Sequence, residues 1–160
     1  ETVPPKEKLR TMTRTALGLA TICSYVQGFS LIAQASEDEG WNIDVSNVAR
    51  IWRGGCIIRS ALLDKFERAY SADARTARVA SEEIKAWSEG GFQRDWRRVI
   101  KLATAHGIAV PALSASLCYF DALRTEYLPQ RLVQAQRDYF GAHTYSRTDK
   151  KGVFHTDWTA

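Results

Sequence analysis

The first forty residues carry a helical repeat, which constrains the fold more than any other feature of the sequence. Apolar or small residues between Lys6 and Glu39 recur in steps of three and four: Leu9, Met12, Ala16, Leu19, Cys23, Val26, Ser30 and Ala33. This period places them on one face of a helix, and Gly40 provides a stop at its C-terminus. The pattern predicts a single helix of roughly thirty residues, which is long for a globular protein.

Similar stripes continue along the chain, and each is bounded by a capping or breaking residue. Asp44 or Ser46 can cap the second helix, Gly107 ends a later one, and Pro111 suits the first turn of the next. The apolar stripes of these helices are Val45, Val48 and Trp52; Ile58, Leu62, Phe66 and Ala69; Phe92, Trp96, Val99 and Ala103; and Leu113, Leu117, Phe120 and Tyr127.

The predicted fold class is all-α, because no convincing run of alternating strand residues occurs. A weaker pattern predicts a further helix through Ile84 and Trp87. Pro129 restarts the chain, and the last helix, which carries QAQRDYF (134–140), runs to about Phe140. We therefore predict a helical bundle over residues 1–140.

The composition changes after the last predicted helix. Residues 141–160 are polar and charged, and the apolar residues Val153, Phe154 and Trp158 interrupt them. A segment of this kind needs a surface on which to lie. We expect an extended C-terminal tail that packs on another part of the protein.

Charge and cysteine content limit the class of protein. The 160 residues carry a net charge of only +4, and both signs are mixed along the chain, so nucleic-acid binding is not favoured. Cys23, Cys56 and Cys118 are far apart, which fits a reducing compartment and not a disulfide or zinc framework. No stretch approaches about 18 uninterrupted apolar residues, so no membrane span is predicted. Because Met does not open the sequence, we expect the chain to begin inside a longer protein.

The known catalytic and nucleotide-binding motifs are absent from the sequence. Its ten glycines form neither a GxGxxG nor a Walker loop, and no HExxH occurs. The sequence therefore provides no nucleotide-binding fingerprint, metal site or catalytic constellation.

Arg137 and His143 are the candidate binding residues. Arg137 lies at the edge of the apolar face of the last helix, where a guanidinium either reaches water or meets an anion. His143 can reach the same space if Gly141 turns the chain back. The arginines of WRGGCIIRS (52–60) either pair with acidic neighbours, which we favour, or bind an anion with nearby backbone N–H groups. His106 suits a helix C-terminus, and no role is assigned to His155.

Five segments resemble one enzyme family, in the expected order. They are SYVQGF (24–29), WRGGCIIRS (52–60), DWRR (95–98), QAQRDYFGAHTY (134–145) and FHTDWT (154–159). These segments resemble the C-terminal part of decarboxylating 6-phosphogluconate dehydrogenase. The resemblance covers nearly all the chain from about Leu17, and residues 71–91 match poorly.

The resemblance implies a reaction, a cofactor and a partner subunit. The family oxidises 6-phosphogluconate with NADP to ribulose 5-phosphate, carbon dioxide and NADPH, in the cytosol in most cases. It works as a homodimer whose tail, here residues 141–160, lies on the partner subunit. Arg137 and His143 match the family residues that reach into the partner's active site and bind substrate, with the arginine at its phosphate.

The resemblance also implies what this chain lacks. The family's catalytic lysine and glutamate, and the domain that binds most of NADP, lie upstream of residue 1. We therefore expect no catalytic residue here and no dehydrogenase activity from the isolated chain. Without the resemblance, an autonomous all-helical interaction module remains an alternative, and nucleic-acid binding is a weaker one.

Overall fold

The computed structural model describes residues 2–72 and 91–159, and within these ranges the chain is helical. The six helices there are α1 (Lys6–Asp38), α2 (Val45–Trp52), α3 (Leu62–Ala72), α4 (Phe92–Ala105), α5 (Pro111–Leu123) and α6 (Arg131–Gly141). The described ranges contain no strand, only an isolated antiparallel bridge between Tyr145 and Phe154. The all-α prediction is therefore confirmed. The predicted helix through Ile84 and Trp87 lies outside the described residues.

Helix α1 forms as the repeat predicts, and Gly40 ends it. Gly40 adopts a φ of 66°, a left-handed conformation that glycine accepts without a steric penalty. The N–H of Trp41 then bonds the carbonyl of Ser36 at 3.0 Å, which satisfies a free carbonyl at the helix end.

The chain divides into two compact units, Glu1–Phe120 and Asp121–Ala160. In the first unit, α1 contributes to two apolar clusters. Its N-terminal half packs with residues of α4 and α5: Met12, Ala16, Leu19, Ala20, Cys23, Trp96, Val99, Leu117 and Phe120. Its C-terminal half packs with residues of α2 and α3: Ile22, Val26, Phe29, Val45, Ala49, Leu63, Phe66 and Tyr70. The length of α1 is explained by its place in both clusters.

Helix α1 is also long and apolar enough to cross a membrane, by length and composition alone. This differs from the sequence-based expectation. The core helix of a globular protein passes the same test, and 44% of the most apolar window of α1 is buried inside the protein. The property alone does not indicate membrane insertion.

Two predicted helix boundaries are wrong. Ile58 precedes α3, because Ser60 starts that helix: its hydroxyl accepts a hydrogen bond from the N–H of Leu62 at 3.2 Å. Tyr127 lies beyond the end of α5 at Leu123, where its ring faces the guanidinium of Arg131 at 4.1 Å. In both cases the apolar period extends beyond the helix that the backbone forms.

In the second unit, α6 is followed by a short hairpin formed by the tail. Tyr145 and Phe154 exchange two backbone hydrogen bonds of 2.9 Å, and their rings lie 6.3 Å apart. The hydroxyl groups of Tyr145 and Thr156 are 2.6 Å apart. These contacts form a hairpin in the segment for which the sequence predicts only an extended tail.

Candidate functional site

The carboxylate of Asp138 is the centre of the C-terminal unit. Asp138 lies on α6 and is 0% exposed, whereas most side chains of this helix face solvent. Its Oδ1 accepts hydrogen bonds from the N–H of Thr144 at 3.0 Å and from His155 Nδ1 at 2.9 Å. Its Oδ2 accepts from the N–H of Thr156 and from Trp158 Nε1, both at 2.9 Å. One side chain therefore connects α6 to the tail at four points.

Asp138 is ionised in this environment. Burial acts to raise the pKa of the carboxyl group, but the four hydrogen bonds outweigh it and hold the pKa well below its usual range. Since an ionised carboxylate can only accept hydrogen bonds, we assign a proton to His155 Nδ1, which donates to Asp138 Oδ1. All four partners thus stabilise the charged form.

The chain reverses directly after α6. Ala142 and Thr144 adopt φ values of 48° and 64°, in the left-handed region that residues other than glycine rarely occupy. The N–H of Ala142 bonds the backbone carbonyl of Asp138 at 2.9 Å. Gly141 is the residue expected to turn the chain back, but it is helical, and the reversal is made by Ala142 and Thr144.

The side chain of His143 lies over Gly141. A Cβ atom built at Gly141 would be 2.8 Å from His143 Nε2 and 2.9 Å from His143 Cδ2. The imidazole also meets the ring of Phe140 edge-on, with centroids 5.5 Å apart. His143 is exposed, so its ring is held on one side and open to solvent on the other.

Arg137 is also exposed and has no carboxylate partner among the described residues. Its Nη1 donates to Gln134 Oε1 at 3.2 Å, a contact within α6. No hydrogen bond or ring contact joins Arg137 to His143 in the described part of the chain. The two side chains are related through Asp138, which follows Arg137 and accepts from the residue that follows His143. The structure leaves the guanidinium of Arg137 available to an anion.

The other predicted arginine cluster is structural. Arg53 pairs with Asp64 and, at 3.0 Å, with Glu67, both on α3. This confirms for Arg53 that the WRGG turn is held by acidic neighbours. Trp96 of the DWRR segment is fully buried, as predicted.

A cavity of about 620 Å³ lies between α6 and the hairpin. Arg131 and Arg147 line it, but each already has a partner. Arg131 covers the ring of Tyr127, and Arg147 makes a two-point contact with Asp149 at 2.6 and 2.8 Å.

Sequence reasoning missed Asp138 and left His155 without a role. A buried aspartate beside an exposed arginine carries no local signature, because its partners lie six to twenty residues away. The one signal available in the sequence is that the tail contains two side chains that can donate hydrogen bonds, His155 and Trp158.

The family model for the C-terminal domain of 6-phosphogluconate dehydrogenase matches residues 2–158. The chain is 50% identical over 153 residues to decarboxylating 6-phosphogluconate dehydrogenase 2 of Arabidopsis thaliana, covering 96% of this chain and 32% of the relative. It is 46% identical to the NADP(+)-dependent, decarboxylating enzyme of Bacillus subtilis, covering 96% and 33%. The chain thus spans about a third of the length of these relatives.

A solved structure of 6-phosphogluconate dehydrogenase from Plasmodium falciparum has the same fold. It is 39% identical, with a TM-score of 0.82, and the match covers 98% of this chain and 34% of that one. That enzyme is described in its apo form, with its cofactor NADP+ and with its substrate 6-phosphogluconate.

Proposed function

We propose that this chain, which belongs to the 6-phosphogluconate dehydrogenase C-terminal domain family, supplies substrate-binding side chains and dimer surface to an NADP-dependent enzyme. The proposed reaction is the oxidative decarboxylation of 6-phosphogluconate to ribulose 5-phosphate, carbon dioxide and NADPH. Relatives named as NADP(+)-dependent and decarboxylating support the reaction. We assign the catalytic side chains to the part of these relatives' length that this chain does not span.

Arg137 is the proposed phosphate ligand, and His143 is the second substrate contact. A guanidinium can make two parallel hydrogen bonds to a phosphate, and Arg137 has no carboxylate that would compete for it within the described ranges. The single observation that carries this assignment is the end of α6. There the buried Asp138, which follows the exposed Arg137, accepts a hydrogen bond from the N–H of Thr144, the residue that follows the exposed His143.

A second copy of the chain is the proposed partner of the C-terminal unit. Helix α6 exposes large apolar side chains, among them Leu132 at 76% and Phe140 at 66%. Exposed apolar surface of this kind is typical of an interface. We assign residues 1–140 to substrate binding and dimerisation, and residues 141–160 to a tail that lies on the partner subunit.

NADP is the proposed cofactor of the whole enzyme. Its hydride-accepting nicotinamide would provide the redox chemistry, but this chain contains no glycine-rich dinucleotide fingerprint. We therefore assign the main NADP contacts to the preceding domain and propose that the isolated chain is inactive. All three cysteines are free thiols, which supports a cytoplasmic location, because the cytosol keeps thiols reduced.

The test is steady-state NADPH formation by the full-length protein that contains this chain. Arg137→Ala should raise KM for 6-phosphogluconate at least about tenfold, because a hydrogen bond to a charged group contributes roughly 1.5–3 kcal/mol. KM for NADP should not change. Arg53→Ala is the matched control, since Arg53 already pairs with Asp64 and Glu67.

Two results would count against the proposal. An unaltered protein that forms no NADPH with 6-phosphogluconate would exclude the proposed reaction. Equal KM values for Arg137→Ala and Arg53→Ala would exclude Arg137 as the phosphate ligand.

A further inference from the structure

We infer that Asp138 is a positioning residue for the substrate site: its carboxylate holds the chain reversal that carries His143 and attaches the C-terminal tail at the same point. The inference rests on the proposed function, because it assigns a role toward the same bound substrate. Asp138 itself is buried and is not a substrate ligand. It acts through its hydrogen bonds to Thr144 and to the tail residues His155, Thr156 and Trp158.

The reversal after α6 needs an external support. Thr144 is β-branched, and its φ of 64° is a conformation that such residues adopt only when the surroundings impose it. The hydrogen bond from the Thr144 N–H to Asp138 Oδ1, at 3.0 Å, is the contact that compensates for this strain. Without it, residues 142–144 can relax to ordinary backbone angles, and His143 then leaves its place over Gly141.

The tail depends on the same carboxylate. His155 shares Oδ1 with Thr144, and Oδ2 binds the backbone of Thr156 and the indole of Trp158. The ring of Trp158 also meets that of Tyr139 edge-on at 6.2 Å. The Asp138 side chain therefore links the attachment of the tail to the position of His143.

Only an aspartate satisfies this set of donors. Each carboxylate oxygen accepts two hydrogen bonds, so the four donors require four acceptor positions. An asparagine offers one oxygen, and its NH2 group would face two donors. Glutamate is one methylene longer and does not fit a site that is 0% exposed without moving α6 or the tail. The charge also makes each hydrogen bond stronger than a neutral one.

The test compares Asp138→Asn with Asp149→Asn in the full-length protein. Both changes remove one carboxylate from the C-terminal unit, but Asp149 contacts Arg147 and not the reversal. We expect Asp138→Asn to raise KM for 6-phosphogluconate on the order of tenfold or more, since a small displacement of a binding group has a large effect. The values of kcat and of KM for NADP should stay near those of the unaltered protein. Asp149→Asn should leave kcat and both KM values at those of the unaltered protein.

A double-mutant cycle with His143→Ala separates positioning from general destabilisation. If Asp138 acts through His143, Asp138→Asn has a smaller effect on KM when His143 is already alanine. If Asp138→Asn raises KM for 6-phosphogluconate by the same factor with and without His143→Ala, the inference is overturned. Trp158→Phe removes the indole N–H donor and keeps an aromatic side chain, so it provides a milder variant if Asp138→Asn does not fold. It should raise the same KM by a smaller factor, and an unchanged KM would again overturn the inference.

The outcomes distinguish this inference from the proposed function. If the unaltered protein is active and Arg137→Ala raises KM while Asp138→Asn does not, the positioning role fails and the phosphate assignment stands. If the unaltered protein forms no NADPH with 6-phosphogluconate, the proposed function itself fails.

Discussion

The imidazole of His143 lies so close to Gly141 that a Cβ atom there would be 2.8 Å from His143 Nε2. Gly141, the last residue of α6, does not itself turn the chain. It provides space for the histidine ring, whereas Ala142 and Thr144 adopt the left-handed backbone of the reversal.

Gly141→Ala should therefore displace His143 while leaving α6 intact. Alanine is compatible with the helical conformation of residue 141, so the main effect is steric. We expect KM for 6-phosphogluconate to rise about tenfold and the thermal unfolding midpoint to change little. Steady-state kinetics and a melting curve of the full-length protein measure both. An unchanged KM would show that the position of His143 over Gly141 does not matter for binding.

Two other glycines should respond in opposite directions. A Cβ at Gly18, inside α1, meets nothing within 4 Å, so Gly18→Ala should stabilise the helical domain by about 0.5–1 kcal/mol. Gly107 has a φ of 68°, so Gly107→Ala should destabilise it by about 1 kcal/mol. Urea unfolding followed by circular dichroism measures the two midpoints. A shift in the same direction for both variants would contradict this assignment.

Acid should leave the tail attached through the pH range in which aspartates usually titrate. The pKa of Asp138 lies below its usual range, whereas an unfolded aspartate titrates near about 3.9. A lowered carboxyl pKa contributes stability that is present above the unfolded pKa and is lost as the pH falls through the folded pKa. The Trp158 indole N–H, which donates to Asp138, should keep its NMR shift on acidification to about pH 3, below the ordinary aspartate pKa of about 3.9. A shift of this signal, but not of the exposed Trp41 indole, with a midpoint at or above that ordinary pKa would contradict the prediction.

The cysteines should differ in reactivity according to burial. Burial raises the pKa of Cys23 to about 11, so its thiol remains protonated and enclosed at neutral pH, whereas Cys118 is exposed. Since the thiolate is the reactive form, iodoacetamide should label Cys118 in the folded chain and reach Cys23 only after denaturation. Mass spectrometry of the digested protein reports both sites. Labelling of Cys23 before denaturation would show that reagent reaches the apolar cluster between α1, α4 and α5.

The parts of the fold that depend on neighbours in sequence could be predicted. The helical period of the apolar residues predicts α1 as one long helix. Gly40 and Asp44 mark the end of this helix and the start of α2. Ile58 and Tyr127 were assigned wrongly, because periodicity does not register the Ser60 turn or the contact between Tyr127 and Arg131.

The candidate site could be predicted only in part. Arg137 and His143 follow from the RDYFGAH motif, because the resemblance assigns them. Asp138 occurs in the same motif, but its function depends on donors that the chain delivers from the tail. Such long-range hydrogen bonds leave no period or spacing in the sequence, so they are visible only in the folded structure.

The most direct test is a crystal structure of the full-length protein with 6-phosphogluconate bound. We expect the guanidinium of Arg137 to contact the substrate phosphate at about 2.7–2.9 Å, with His143 against the same molecule and Asp138 still bonded to Thr144 and the tail. A phosphate bound elsewhere, with Arg137 directed into solvent, would contradict the account.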